Sequence, residues 1–175
     1  MKILNRMIAG VVVLIIILLI LIAVDSNAAN DAKINVYKGD NVPTLSPELK
    51  KYTYSICKKY SIDPKILIGL MYVESGFRAN ALTPQGDIGI CQIRTSFYKE
   101  EIKYLKIDNM RDPKQNINLA SFILSRFKMK YDKESYHITL MCYNLGERGA
   151  QALWKKKVYS TEYTRSIIKY ANSLK

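Results

Sequence analysis

A single histidine, His137, stands in 175 residues, and the three cysteines, Cys57, Cys91 and Cys142, lie too far apart for any Cys-x-x-Cys pair. The usual nitrogen and sulfur ligand sets are missing, so we expect no metal and no cofactor. A lone histidine on a helix is ordinarily a surface or packing residue. The cysteines fall on apolar faces of expected helices or tight segments, which favours small buried side chains; one disulfide with a free third thiol also fits the count. Negative charge is scarce as well: 15 Asp and Glu face 27 Lys and Arg, a formal net charge of +12. That excess points to a polyanionic neighbourhood, whether nucleic acid, an anionic membrane face or an anionic cell wall. Internal repeats and low-complexity tracts are missing, and no run alternates convincingly as a strand. The expected fold is all-α or nearly so.

What the chain does have begins with an apolar run. Lys2 and Arg6 precede an unbroken stretch from Met7 to Val24. Its length meets the ~18 residues of a spanning helix and exceeds the ~7–15 of a signal-peptide core. Ser26-Asn27-Ala28 resembles a small-x-small cleavage site. Residues 1–28 are therefore read as a signal anchor or a signal peptide. Either way the positive end stays inside and the rest is exported, membrane-anchored or, if cleaved after Ala28, secreted. This removes intracellular nucleic acid as a partner and leaves the membrane and an anionic wall polymer. Residues 29–46 are polar, with a Gly39-Asp40-Asn41 turn and Pro43, and read as a linker. Residues 47–175 suffice for one domain with a core.

Within that domain the punctuation is regular. Ser46-Pro47, Asp63-Pro64 and Asp112-Pro113 each pair a capping residue with a helix-opening proline. Gln115 is spaced for a capping box with Asp112. The first helix carries Leu49, Tyr52, Ile56 and Tyr60 on one face. The second ends at Glu74 with Gly76 as its stop. A short helix opens at Thr95 or Ser96, and Ile117, Ala120, Leu124 and Phe127 line the face of the next. Ser135 starts another that stops at Asn144-Leu145-Gly146. Helices over 147–156 and 161–174 follow, the last with Tyr163, Ile167, Tyr170 and Leu174 inward.

The residue that needs explaining is Glu74, a carboxyl ending an otherwise apolar helix. Helix C-terminal carbonyls disfavour negative charge, and Leu70, Met71 and Val73 would desolvate it. Both effects favour a carboxylic acid that stays protonated near neutral pH, which glycosidic-bond cleavage requires. An exposed helix-terminal glutamate is the ordinary alternative for this position taken alone.

Its surroundings change the balance. Glu74-Ser75-Gly76-Phe77, then Asn80-Ala81-Leu82-Thr83-Pro84, then Gly86-Asp87-Ile88-Gly89-Ile90-Cys91-Gln92-Ile93 resemble the signature of SLT-type lytic transglycosylases, within the goose-lysozyme-like superfamily. Asp112-Pro113 with Asn116-Ile117, Tyr143-Asn144-Leu145-Gly146, and Tyr163 before Ile167 continue it in order, across about residues 47–172.

The resemblance implies a lysozyme-like helical domain with a glycan-binding cleft, acting on peptidoglycan strands. It implies Glu74 as sole acid/base, cutting the MurNAc–GlcNAc β-1,4 bond and leaving 1,6-anhydro ends. Thr83 stands where the family has serine, with a hydroxyl for the carboxyl or the sugar, although Thr-Pro is also ordinary turn chemistry. Gln92 matches a substrate-bonding amide, Tyr143 an aromatic lining the cleft, and Tyr163 the tyrosine that orients the glutamate. Asp87 reads as a turn residue without a catalytic role. Cys91 replaces the usual methionine, and Arg94-Thr95 the usual Met-Pro, placing a cation that meets peptide-stem carboxylates or solvent. A muramidase on the same fold and a non-catalytic wall-binding or assembly module are the competing readings. Wall remodelling, spore-related lysis, phage entry, and wall opening for secretion, conjugation or other envelope machinery are all compatible settings. A short tethered enzyme suits a localised opening best.

Overall fold

The computed structural model describes residues 44–131 and 135–174, all within the second of the chain's two compact units, Gly39–Lys175. The apolar run and nearly all of the linker lie outside the described residues. Among the described residues no helix is long and apolar enough to cross a membrane. The order is α1 (Pro47–Tyr60), α2 (Pro64–Ser75), β1 (Asp87–Ile88), β2 (Ile93–Arg94), a 3₁₀ turn (Thr95–Phe97), α3 (Lys99–Tyr104), α4 (Pro113–Tyr131), α5 (Tyr136–Trp154) and α6 (Glu162–Ser173). The domain is mostly helical, with one small antiparallel hairpin that pairs Asp87 with Arg94 and Ile88 with Ile93.

The caps explain the helix boundaries. Ser46 Oγ accepts from the Leu49 N–H at 3.3 Å, and Asp63 Oδ1 from the Lys65 N–H at 2.8 Å, each one residue ahead of a proline. Gly76, at φ 59°, ends α2 in the left-handed conformation that lets its N–H reach the Tyr72 carbonyl. The cap at Asp112 differs from the expected box. Asp112 Oδ1 accepts from the Gln115 N–H, but the Gln115 amide reaches past the cap. Its oxygen takes the Asp108 and Asn109 N–H groups and its nitrogen donates to Asp108, so Gln115 ties down the preceding loop. A reciprocal box forms instead between Thr161 and Thr164 at the start of α6. Gly146, at φ 69° and ψ 165°, breaks α5 where the sequence expects a stop.

Helix α2 is the centre of the core. Ile66 through Met71, Val73 and Ser75 are buried all round it, the pattern of a helix enclosed on every side. Fully burying Leu67, Leu70 and Met71 contributes roughly 1.5–3 kcal/mol each. Helix α6 lies directly against it. A Cβ added at Gly69 would meet the Ile167 carbonyl at 2.7 Å, so only glycine permits this approach. Lys65 Nζ donates to the Leu174 carbonyl at 2.6 Å, near the other end of the same contact. Residue numbers rise along α2 as they fall along α6, so the two helices run antiparallel. That direction carries Tyr163 towards Glu74.

The three cysteines are buried free thiols. Burial pushes the Cys57 thiol up to about 12 and the Cys142 thiol to about 11.

Candidate active site

Glu74 is the second-last residue of α2, half-buried, with α6 on one side and the segment 81–94 on the other. On the α6 side, the Tyr163 hydroxyl donates to Glu74 Oε1 at 2.5 Å. Burial, then the Glu74 charge, push the Tyr163 phenol well above its ordinary range, so it remains a proton donor. Tyr143, on α5, donates its hydroxyl to the Cys91 carbonyl at 2.8 Å. Burial dominates the upward shifts of Tyr143 and Cys91 too, and Glu74 raises both further. The carboxyl thus has two phenols and a thiol around it, each held neutral, in a wall without positive charge from these groups.

The opposite wall is built by polar side chains reaching backbone. Ser75 Oγ donates to the Ile90 carbonyl at 2.7 Å and accepts from the Arg78 N–H at 3.1 Å, fastening the end of α2 to the hairpin. Asn116, fully buried on α4, accepts from the Cys91 N–H at 2.8 Å and donates to the carbonyls of Ile88 and Met110. Gly89, at φ 83°, passes so close that a Cβ would stand 2.4 Å from Asn116 Nδ2. Sequence reasoning gave Ser75 and Asn116 no role of their own. Both appear in the motif blocks, but their task is visible only once the backbone they hold is folded.

The remaining expected site residues are placed as follows. The Gln92 amide nitrogen is spent on the carbonyls of Gly89 (2.8 Å) and Ala81 (3.2 Å), so its donor end holds the turn and its oxygen is what a ligand can meet. The Thr83 hydroxyl donates to Asp87 Oδ2 and accepts from the Asp87 N–H, both at 3.0 Å. It closes its own turn rather than bonding the Glu74 carboxyl. Asp87 is further held by Arg94, whose guanidinium pairs with both carboxylate oxygens at 2.9 and 3.2 Å and lies over the Phe97 ring. Arg94 is thereby neutralised by the hairpin instead of standing as a free cation at the rim. The structure therefore brings Tyr163, and through Cys91 also Tyr143, to Glu74, while Thr83 and Gln92 serve the adjoining turn. Among the described residues no group of histidine, cysteine and carboxylate side chains could hold a metal ion.

The sequence and the fold have counterparts among known proteins. The family model described as Transglycosylase SLT domain matches residues 51–167. The membrane-bound lytic murein transglycosylase F of Haemophilus influenzae strain 86-028NP is 28% identical over 112 residues, 61% of this chain and 21% of the relative. Its counterpart in strain PittGG is 28% identical over 110 residues, 60% of this chain and again 21% of the relative. The chain thus spans about a fifth of the length of these curated relatives. Among solved structures, an inactive mutant of the lytic transglycosylase Slt from Pseudomonas aeruginosa superposes with a TM-score of 0.60 at 17% identity, covering 70% of this chain and 23% of that one. That likeness shows a shared fold.

Proposed function

Because this chain belongs to the Transglycosylase SLT domain family, we propose that it is a peptidoglycan lytic transglycosylase in which Glu74 alone performs both proton transfers. The observation that carries the reading is how differently the two carboxyls of the motif are held. Glu74 is oriented by the Tyr163 hydroxyl, while Asp87, the next acid of the motif, is committed to Thr83 and Arg94. A hydrolase commonly needs a second carboxylate, as nucleophile at ~5 Å or as water-activating base at ~6.5–9.5 Å. A transglycosylase does not, because the sugar supplies its own nucleophile. The protonated Glu74 gives its proton to the oxygen linking MurNAc to GlcNAc, and the C1–oxygen bond breaks. The resulting carboxylate takes the proton of the MurNAc 6-hydroxyl as that oxygen bonds C1. Glu74 ends protonated, the glycan ends as a 1,6-anhydro ring, and no water is consumed.

The Tyr163 phenol suits both halves of the cycle, since it can bond either form of the carboxyl without giving up its proton. Tyr143 lines the cleft beside Glu74, and the Gln92 oxygen accepts from a substrate N–H. Thr83 acts one step back, by shaping the turn that presents Gln92. The membrane-bound relatives and the apolar run of residues 7–24 support an envelope location, with the domain outside and the N-terminal segment as anchor. A role in opening the wall locally for envelope machinery fits that tethering.

The test is cleavage of purified peptidoglycan by the full-length chain in detergent. Glu74→Gln is expected to lower the rate at least ~10²–10⁴-fold without lowering the melting temperature. Cleavage by Glu74→Gln at the wild-type rate would remove Glu74 from the chemistry.

A further inference from the structure

A groove of about 570 Å³ opens where the end of α1 meets the C-terminal half of α4. It sits beside the residues that lead into α2, whereas Glu74 is ten residues further along that helix, roughly 15 Å at the helical rise. The groove is thus separate from the catalytic carboxyl.

Its lining combines two chemistries. Lys59, Arg126 and Lys128 supply three cations. Arg126 pairs with Glu101, but among the described residues no carboxylate pairs with Lys59 or Lys128. Each cation is steadied over a ring: Lys59 over Tyr60 at 4.8 Å, Arg126 over Phe122 at 5.9 Å, Lys128 over Tyr136 at 5.1 Å. Lys128 Nζ also donates to the Ser61 carbonyl at 3.0 Å. Between the cations the surface is apolar. Tyr60 and Phe122 meet edge to face at 5.9 Å, and Met129 at the rim is 72% exposed. A thioether left in water beside an aromatic floor is a surface short of a partner.

A polyol phosphate would satisfy the cations and leave the aromatic and methionine surface unused. An anionic membrane fits poorly, because a flat sheet of headgroups does not enter a concave groove whose cations are part of its lining. A short acidic peptide of small apolar residues uses both chemistries, with carboxylates on Lys59 and Lys128 and methyl groups on Phe122 and Met129. We propose that this groove binds the acidic peptide stems of wall glycan strands, a second hold on the polymer that Glu74 cuts. The inference rests on the reading of that polymer as peptidoglycan.

The experiment is calorimetric titration of the full-length chain in neutral detergent with a synthetic, sugar-free peptide of alanine and glutamate. Binding is expected to be salt-sensitive and to weaken by about tenfold or more in Lys59→Glu/Lys128→Glu. It should persist in Lys59→Arg/Lys128→Arg, and both variants should still unfold in one cooperative transition above the titration temperature. No binding by wild type, or equal binding by the charge-reversed variant, would overturn the proposal. So would preferential binding of a polyol-phosphate polymer or of anionic vesicles through the same lysines. Failure of wild type to cleave any peptidoglycan would overturn the Glu74 reading instead, a result the sugar-free titration does not share.

Discussion

The two walls that flank Glu74 are held by different forces. On one side α6 meets α2 through apolar packing across Gly69, and a single phenol reaches the carboxyl. On the other, the segment 81–94 sinks only Ile90, Cys91 and Ile93 into the core, and the rest of its path is held by side chains bonded to its backbone, from Ser75, Asn116, Gln92 and Thr83. Packing tolerates small losses but resists added volume in a close contact. Hydrogen-bonded backbone tolerates neither partner's removal, because the orphaned groups stay buried. Glu74 therefore has one wall that breaks by addition and another that breaks by subtraction.

The largest effect is expected at the polar wall. Asn116→Ala orphans the Cys91 N–H and the carbonyls of Ile88 and Met110, at a cost of about 4 kcal/mol. Denaturant melts should show it, with activity lost even where the fold survives. A smaller loss, about 2 kcal/mol, is expected for Gly69→Ala, because its Cβ must push the Ile167 backbone away. If α6 moves as a unit, that variant also slackens the Tyr163 contact, and its kcat should fall more than its KM rises.

Tyr163→Phe keeps the packing and deletes the bond to Glu74. We expect about 1 kcal/mol of lost stability and a fall in kcat with little change in KM, which separates orientation of the carboxyl from construction of the wall. The smallest effect belongs to Arg94→Ala. Its ion pair with Asp87 is partly exposed and contributes at most ~1 kcal/mol in a thermal melt. Activity should survive, since the Thr83–Asp87 bonds still close the turn. A large loss of cleavage in Arg94→Ala would show that the arginine meets substrate after all.

The same division decides what could be read from sequence. The helix wall was legible. The proline-led caps at Ser46, Asp63 and Asp112, the αL stop at Gly76 and the apolar run before Glu74 are local signals, and local physics set those elements. The spacing of Tyr163 and Ile167 marked an inner face, although only the antiparallel crossing at Gly69 explains why Tyr163 reaches Glu74. The polar wall was legible as a motif but not as a mechanism. Thr83 and Gln92 stood out as donors for a ligand, yet most of their bonding is turned inward on a backbone whose path no periodicity describes. Gln115 has the right spacing for a capping box, and a loop six to seven residues upstream competed for its amide and won. Arg94 read as a free cation because its partner, Asp87, lies across a two-residue strand pair that no alternation announces.

The central claim is that one carboxyl suffices because the sugar closes on itself. Mass spectrometry of muropeptides released by the full-length wild-type chain tests it most directly. Products lighter by one water than those of a hydrolytic muramidase, carrying 1,6-anhydro-MurNAc ends, are expected. Products of full hydrolytic mass, with reducing MurNAc ends, would contradict it.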